Sequence, residues 1–423
     1  MGRGWNNMNR LQIDHQKRAF TRDGANFFYL ADTLWMAFSK LTLPEWEEIL
    51  RLRCMQRFNV LQISALRVVH DDSRDESALP AFGPGGYGEP NEAYFDRACE
   101  MLALANQYGF TPCIHLLWVD YVPDSWGSRG GKPMTREEGA RFAAYVARRF
   151  RPYAPIYSIS GDTAFETERV VDFYDAAIDA VRAVDPEALL TLHLTPHAGV
   201  PDRLCRKLDF YSYQSGQGVG AELSNNYLFG LQYFSKPGQK PVVNSELPYD
   251  GHGHGNADGR FGPYDLRRAA WQSLLSGASA GITYGAHGLW GMHRTGQAFS
   301  SVPFSNMPFE WRTAVRFPGA WEMANARAIF EQCDLFGIAP FDGLDEKYDS
   351  IRMAATPDME KIAIYAPHAC DLHLKLSLEE YEIHLYEMET MHRLAPEAVT
   401  EGGRTTLLMP QVNSDLLYLM TKP

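Results

Sequence analysis

The feature that most constrains the fold is a regular alternation of short apolar runs with longer amphipathic stretches. Eight runs have the length and composition of buried strands: 27–31, 59–65, 110–117, 155–161, 189–195, 210–215, 241–246 and 280–286. Between them, apolar side chains recur at helical spacing, as at Val170, Phe173, Tyr174 and Ala177. Eight strands alternating with helices predict an α/β fold, a (β/α)8 TIM barrel of parallel strands.

The connections between these elements differ at the two ends of the predicted barrel. Links from helix to strand are short, such as Arg57-Phe58 and Gly109. Links that leave a strand are long and rich in Gly, Pro, Trp and His: 66–91, 118–134, 247–264 and 287–310. Long loops at the carboxyl ends of the strands predict that the functional side chains lie at that end.

Both ends of the chain depart from the alternation. Arg22-Asp23-Gly24 is a hairpin-type turn and predicts a hairpin over residues 10–26. After residue 334 short strands follow one another, at 350–356, 361–366, 371–376, 381–388, 404–409 and 416–421. We therefore expect a barrel domain over 1–334 and a small antiparallel β-sandwich over 335–423, with a structural or carbohydrate-binding role.

Charge and composition exclude several classes of partner. The net charge of −12, with no basic run to offset it, argues against nucleic acid and anionic membrane surfaces. The N-terminal residues do not resemble a signal peptide, and no apolar stretch is long enough to span a bilayer. The six cysteines are scattered without a C-x-x-C pair, which favours reduced thiols in a cytoplasmic protein. The oligomeric state is left open.

Two of the apolar runs end on a carboxylate. Residues 241–246 (PVVNSE) end at Glu246, and 155–162 (PIYSISGD) end at Asp162. Cleavage of a glycosidic bond requires a general acid for the leaving oxygen and a carboxylate that attacks or stabilises the anomeric centre. We expect Asp162 as the acid/base, with its pKa raised by apolar surroundings such as Tyr157, and Glu246 as the nucleophile.

Simpler roles remain open for both acids. Asp162 could cap the following helix, since Thr163 and Glu166 come next, and Glu246 could lie on the surface. Glu166, about one turn into that helix, is the rival for the acid role. It ranks below Asp162 because acids at helix starts usually stabilise the helix dipole.

Other strand ends supply hydrogen-bonding groups and flat aromatic faces, which together suit a sugar pocket. The candidate substrate-binding residues are Asp32, Trp35, Gln62, His115, Trp118, His193, Gln214, Tyr284, His287 and Trp290. Each of these residues could instead be packing in the core or in a loop.

A metal or phosphate site is less favoured. His252-Gly253-His254, with His193, resembles part of a metal site, but the first strand ends in Asp32 and Trp35 instead of paired histidines. Residues 83–86 (GPGG) lack the lysine and the strand–helix context of a phosphate loop. We expect neither a metal nor an organic cofactor.

Five segments, in this order, resemble the apiosidase-like barrel glycoside hydrolases: FFYLADTLWMAF, RFNVLQISAL, the ISGDT strand end, VVNSELPYDG and SGASAGITYGAHGLW. The resemblance covers residues 10 to about 330, and members commonly carry a small C-terminal β-domain of the collagen-binding type. It implies a catalytic pair formed by the Asp of the Gly-Asp strand end and the Glu ending the seventh strand, which match Asp162 and Glu246. The larger group of retaining barrel glycosidases has Asn-Glu at the fourth strand.

The sequence thus predicts a glycoside hydrolase that cleaves a plant-derived oligosaccharide or glycoside by a two-carboxylate, retaining mechanism. Two alternatives remain open: a catalytically silent carbohydrate-binding barrel and, less favoured, a metal-dependent hydrolase. The sugar and the linkage are determined by the long loops, and the sequence leaves them undefined.

Overall fold

The computed structural model describes residues 9–71, 79–128, 132–255, 257–345 and 349–423; residues 72–78 and 129–131, in two of the long loops, lie outside this description. The chain begins with an antiparallel sheet of β1 (Gln12–Asp14), β2 (Ala19–Arg22) and β3 (Ala25–Phe27). Asp23 and Gly24 both have positive φ, which confirms the predicted turn. Phe20 of this sheet packs on Phe210 at the amino ends of the barrel strands, with ring centroids 5.1 Å apart.

Eight parallel strands form the barrel, and all eight predicted strands are confirmed, although the fifth, predicted over 189–195, covers only Leu190–Thr191. They are β4 (Tyr29–Thr33), β5 (Val60–Ser64), β6 (Thr111–Trp118), β7 (Ile156–Gly161), β8 (Leu190–Thr191), β9 (Tyr211–Gln214), β10 (Val242–Glu246) and β11 (Gly281–Tyr284). The sheet runs in the order β8-β7-β6-β5-β4-β11-β10-β9. Its two outer strands approach each other where Asp209 N donates to Leu190 O (2.9 Å), so the barrel is nearly closed.

Helices surround this barrel and bury their apolar stripes against it. They are α1 (Ala37–Lys40), α2 (Leu43–Met55), α3 (Glu92–Gln107), α4 (Arg136–Phe150), α5 (Glu168–Val184), α6 (Asp202–Cys205), α7 (Asn225–Phe234), α8 (Pro263–Leu274), α9 (Val302–Ser305), α10 (Trp311–Ala314) and α11 (Gly319–Gln332). The predicted stripe of Val170, Phe173 and Tyr174 is buried in α5. At the start of α4, Glu138 N donates to Thr135 Oγ1 (3.1 Å), which satisfies one of the free backbone groups at that end.

The C-terminal region is an antiparallel β-sandwich, as predicted. Its strands are β12 (Ala339–Pro340), β13 (Arg352–Ala355), β14 (Lys361–Ala366), β15 (Leu372–Leu374), β16 (Glu382–Glu387), β17 (His392–Leu394), β18 (Ala398–Glu401), β19 (Arg404–Leu407) and β20 (Leu416–Thr421). One sheet has the order β12-β13-β14-β20-β16-β17 and the other β15-β19-β18. Ile364 and Tyr418 of the first sheet share a core with Leu374 and Leu407 of the second. The sequence prediction missed β12, β17 and β18.

The sandwich packs on α8, the helix that follows β10. Arg267 donates to both oxygens of Asp415, at 2.8 and 2.6 Å, and Tyr264 donates to Pro367 O (2.9 Å). All six cysteines are free thiols. Across the described ranges, none of the helices combines the length and the apolar character that a membrane span requires.

Candidate active site

A cavity of about 400 Å³ opens at the carboxyl ends of the barrel strands. Its lining consists of two carboxylates, several aromatic rings and a few polar groups: Trp35, His70, Trp118, Asp162, Thr195, Pro196, Gln214, Gly216, Gln217, Glu246, Tyr249, His252, Trp290, Phe299, Ser301, Phe304 and Ser305. The combination of flat apolar faces with few polar groups suits a sugar-sized ligand.

Glu246 enters the cavity from the end of β10. The pairing of β10 with β9 shifts register between Asn244 and Glu246, and such a bulge redirects the side chain that follows it. Asn244 holds the strand in place by donating to Ser215 Oγ and Ser273 Oγ, both at 3.0 Å. Gln217 Nε2 donates to Glu246 Oε1 at 3.3 Å, so the carboxylate is oriented while its side chain remains 11% exposed.

Asp162 follows directly on β7 in a left-handed backbone conformation, with φ of 54°. Gly161 before it is required, because a Cβ at that position would lie 2.0 Å from the Trp118 ring. The Gly-Asp pair therefore lets a tryptophan pack against the backbone while the acid turns into the mouth. Gln214 Nε2 donates to Asp162 Oδ1 (2.6 Å), and His70 Nε2 lies 3.0 Å from Oδ2.

His193 lies between the two carboxylates, just beyond β8. Its Nε2 is 3.5 Å from Asp162 Oδ1 and 3.4 Å from Glu246 Oε2. The nearest oxygens of the two acids are therefore at most about 6.9 Å apart, the sum of these distances, which includes the separation of about 5–5.5 Å found in retaining glycosidases. Burial of the ring favours neutral imidazole, but the two carboxylates outweigh it and raise the pKa of His193 to about 9.

The electrostatics of Asp162 differ from the sequence prediction. Burial alone would raise the pKa of Asp162, but the imidazoles of His193 and His70 outweigh burial and hold the pKa well below its usual range. The expectation that apolar surroundings raise this pKa is wrong. Tyr157, the apolar neighbour invoked, donates its hydroxyl to Ala147 O instead, toward α4. The site therefore favours an ionised Asp162 beside a charged His193.

The predicted substrate-binding residues fall into two groups. Trp35, Trp118, Gln214 and Trp290 line the cavity together with the two acids. The other residues lie behind the cavity wall or inside the barrel: Asp32, Gln62, His115, His193, Tyr284 and His287. The structure thus brings the first group to the surface of the cavity, and the second group lies outside its lining.

Five residues of the second group have a polar partner in the protein, and the sixth, His115, has an aromatic contact. Asp32 binds Arg53 Nε (2.5 Å), Gln62 Nε2 donates to Ser245 O (2.9 Å), and Tyr284 donates to Asp250 Oδ2 (3.1 Å). His287 Nε2 lies 2.9 Å from Asn306 O. His115 packs on Trp35, and burial followed by the charge of His193 lowers its pKa well below the usual value. These side chains support the residues that line the cavity.

Glu166, the rival acid, lies outside the cavity lining and accepts a hydrogen bond from Trp126 N at 2.8 Å. Trp126 in turn donates its indole N–H to Asp162 O (2.7 Å). Glu166 therefore holds the loop that covers Asp162.

The histidine-rich loop contributes one residue to the cavity. His252 lines it, with Nδ1 2.6 Å from Gly253 O, and burial lowers its pKa to about 4. His254 points to Asp258 O instead, at 2.9 Å. Within the described part of the chain, no group of three or more His, Cys, Asp or Glu side chains is arranged to hold a metal ion.

Several lining residues were missed by the sequence reasoning, among them His70, Gln217, Tyr249, Phe299 and Phe304. All lie in the connections that follow barrel strands, Phe304 in the short helix α9, where no periodicity indicates which side chains turn inward. Tyr249 is the most informative because its hydroxyl accepts from Trp35 Nε1 (3.2 Å). Burial, and then the negative charge of Glu246, raise its pKa well above the usual value.

The family model for the apiosidase-like catalytic domain matches residues 14–337. The chain belongs to the apiosidase-like family. This confirms the resemblance seen in the sequence and makes the protein a glycoside hydrolase with a carbohydrate substrate. No curated protein matches the sequence.

Solved structures of glycoside hydrolases share the fold of this apiosidase-like enzyme. A structure described as a glycoside hydrolase is 18% identical with a TM-score of 0.79, covering 99% of this chain and 98% of its own. A glycoside hydrolase family 5 protein from Bacteroides vulgatus is 19% identical with a TM-score of 0.82, covering 99% and 94%. A family 30 xylanase from Clostridium acetobutylicum is 9% identical with a TM-score of 0.52, covering 93% and 96%. At these identities the likeness concerns the fold alone.

Proposed function

We propose that this glycoside hydrolase acts by a retaining mechanism in which Glu246 is the nucleophile and Asp162 the acid/base. The observation that supports it most is the contact of both carboxylates with one buried ring nitrogen, His193 Nε2, at the edge of the cavity. This geometry supports a sugar ring that lies within reach of both acids at once.

The two steps assign a separate task to each acid. In the first step, Glu246 attacks the anomeric carbon while the bond to the leaving oxygen breaks and Asp162 delivers a proton to that oxygen. In the second step, Asp162 takes a proton from water as the water displaces Glu246. Tyr249 and Gln217, next to Glu246, hold the nucleophile in position.

For the substrate we propose a plant-derived oligosaccharide or glycoside, in keeping with the family name. The cavity volume of about 400 Å³ and walls such as Trp35, Trp118 and Trp290 support a compact glycan end with stacked sugar faces. A cytoplasmic location remains a further proposal, which cell fractionation tests.

A panel of aryl glycosides and plant oligosaccharides, incubated with the wild type and with Asp162→Asn and Glu246→Gln, tests the two roles. Each variant should lose on the order of 10³-fold in kcat, because each removes a group that acts on the reacting bond. Glu166→Gln is the matched control, and we expect it to retain activity within about threefold, since Glu166 lies outside the cavity.

The anomeric configuration of the first product, followed by proton NMR, tests the retaining mechanism. Retention supports it, and inversion would assign Glu246 to the activation of water instead. Full activity in either acid variant would remove that residue from the mechanism.

A further inference from the structure

His70 lines the cavity and has no task in the two-carboxylate mechanism. It lies in the loop after β5, and its side chain is 38% exposed into the mouth, whereas that of Asp162 is 15% exposed. Its Nε2 is 3.0 Å from Asp162 Oδ2. The ring also lies beside Trp126, with centroids 5.8 Å apart. His70 is thus placed between the open cavity and one oxygen of the acid/base.

The loop that carries His70 is held by a buried ion pair. Lys40 Nζ lies 2.5 Å from Asp71 Oδ1, and the two side chains are only 2% and 3% exposed. Arg67 also pairs with Asp71, and Lys40 donates to Gly291 O at 2.9 Å in the loop after β11. These contacts hold the backbone next to His70 against α1, which carries Lys40, and against the loop after β11. The surrounding structure therefore holds the His70 ring in contact with Asp162.

The two oxygens of Asp162 have different partners. Oδ1 faces inward and accepts from the amide of Gln214 (2.6 Å), with His193 Nε2 at 3.5 Å. Oδ2 faces His70. An amide cannot give up its proton, whereas an imidazole can hold and release one near neutral pH. Of the groups in contact with Asp162, the His70 ring on Oδ2 is both titratable and open to the cavity.

Charged groups on several elements face His70. Asp162 follows β7, Glu246 ends β10, Asp120 follows β6 and His252 lies in the loop after β10. Burial favours the neutral ring, but the contact with Asp162 and then the charges of Glu246 and Asp120 outweigh it, so the pKa of His70 is raised. The raised pKa of His70 favours the charged ring, which carries a proton 3.0 Å from an acid that is itself ionised.

We propose that His70 and Asp162 form one proton-sharing pair, in which His70 gives Asp162 the proton that the first chemical step transfers to the leaving oxygen. This inference rests on the proposed role of Asp162. In the first step the proton moves from His70 Nε2 to Asp162 Oδ2 and on to the leaving oxygen as the C–O bond breaks. In the second step Asp162 takes a proton from the attacking water and returns it to His70. His70 is a positioning residue, acting through Asp162.

Histidine NMR tests the pair without any substrate. In protein labelled at the histidine ring carbons, His70 should titrate above the usual histidine range, and Asp162→Asn should lower its midpoint by about one pH unit or more, a tenfold change in proton affinity. His392→Gln, a remote exposed position in the sandwich, should leave that midpoint unchanged. A His70 midpoint unaffected by Asp162→Asn would overturn the pair, whether or not a glycoside is cleaved.

Kinetics of His70→Gln and His70→Ala then separate proton sharing from mere orientation. On a methyl glycoside, whose leaving group needs a proton, both variants should lose about 30- to 100-fold in kcat. On a dinitrophenyl glycoside of the same sugar, both should retain activity within about threefold. Added imidazole should rescue His70→Ala on the methyl glycoside.

Wild-type activity and an unchanged pH profile in His70→Gln would show that a fixed hydrogen bond suffices, and would overturn the inference. A wild type that cleaves no glycoside contradicts the proposed function instead, and the NMR titration still decides whether the two residues share a proton.

Discussion

Asp32 and Asp162 are two carboxylates near the carboxyl ends of barrel strands, and they have opposite surroundings: Asp32 is fully buried and Asp162 is half-buried at the cavity. Asp32 lies in the first barrel strand, β4, and its Oδ2 is 2.5 Å from Arg53 Nε. Both side chains are fully buried. Arg53 also donates to Gln56 Oε1 (2.5 Å) and to Val315 O (2.9 Å). Asp162, after the fourth strand, lines the cavity and has two imidazoles beside it.

The difference shows that the partner of a buried carboxylate determines what the carboxylate can do. A guanidinium keeps its proton at any pH that a protein survives, so Arg53 and Asp32 remain an ion pair that ties α2 to the barrel. Burial raises the pKa of Asp32, and Arg53 opposes that shift. An imidazole changes its charge near neutral pH, so the partners of Asp162 can exchange protons with it.

The same substitution at both acids tests this comparison, and the largest effect is expected at Asp32. Asp32→Asn leaves the Arg53 guanidinium buried without a counter-charge, which should cost about 3–5 kcal/mol of unfolding free energy. Chemical denaturation at pH 7, followed by fluorescence, measures it. A loss below about 1 kcal/mol would show that Arg53 finds another partner and that the ion pair is dispensable.

The sequence predicts the barrel well because its signal is periodic and repeated eight times. It predicts the site only in part, because the two acids look alike in the chain: Asp32-Thr33 and Asp162-Thr163 both follow an apolar run. What separates them is Arg53, contributed by a helix, and His70, contributed by a loop. Such partners are brought together by the fold and leave no local pattern.

The aromatic candidates show the same limit. Trp35, Trp118 and Trp290 follow strands and do line the cavity, whereas His287, chosen by the same rule, turns toward Asn306. Position at a strand end predicts nearness to the mouth, but the rotation of a side chain depends on neighbours from other loops. Gly161 is a local sequence signal for the position of Trp118, because a glycine before an acid at a strand end indicates that a side chain packs closely against the backbone.

His193 should make stability depend on pH over a window that the Asp32–Arg53 pair lacks. The pKa of His193 is 6.5 in the unfolded chain and about 9 in the folded protein. Its contribution to the unfolding free energy is therefore complete below pH 6.5 and is lost as the pH rises through 9. At 1.36 kcal/mol per pKa unit, a shift from 6.5 to about 9 corresponds to a loss of about 3 kcal/mol.

Unfolding free energies of the wild type and of His193→Gln, measured from pH 6 to 10, reveal this window. The wild type should lose stability between pH 6.5 and 9, while the variant should show a flatter profile over the same range. Equal slopes in the two proteins would mean that His193 is neutral in the fold. The lowered pKa of Asp162 adds a separate window at acid pH, where stability falls as the pH drops below the ordinary value of 3.8.

The smallest effect is expected for Asp162→Asn, the counterpart of the first substitution. His193 keeps Glu246 as a partner at 3.4 Å, His70 is exposed enough to lose its proton, and the new amide oxygen can still accept from Gln214. Losing the ionised carboxylate removes its attraction to the two imidazoles, and these remaining contacts offset part of that loss, so the unfolding free energy at pH 7 should fall by about 1–2 kcal/mol. The same denaturation experiment checks this, and a loss above about 3 kcal/mol would place Asp162 with Asp32 among the acids that hold the barrel together. A loss of only about 1–2 kcal/mol combined with lost activity would show that the fold maintains this carboxylate chiefly for chemistry, at a position where an amide costs little stability.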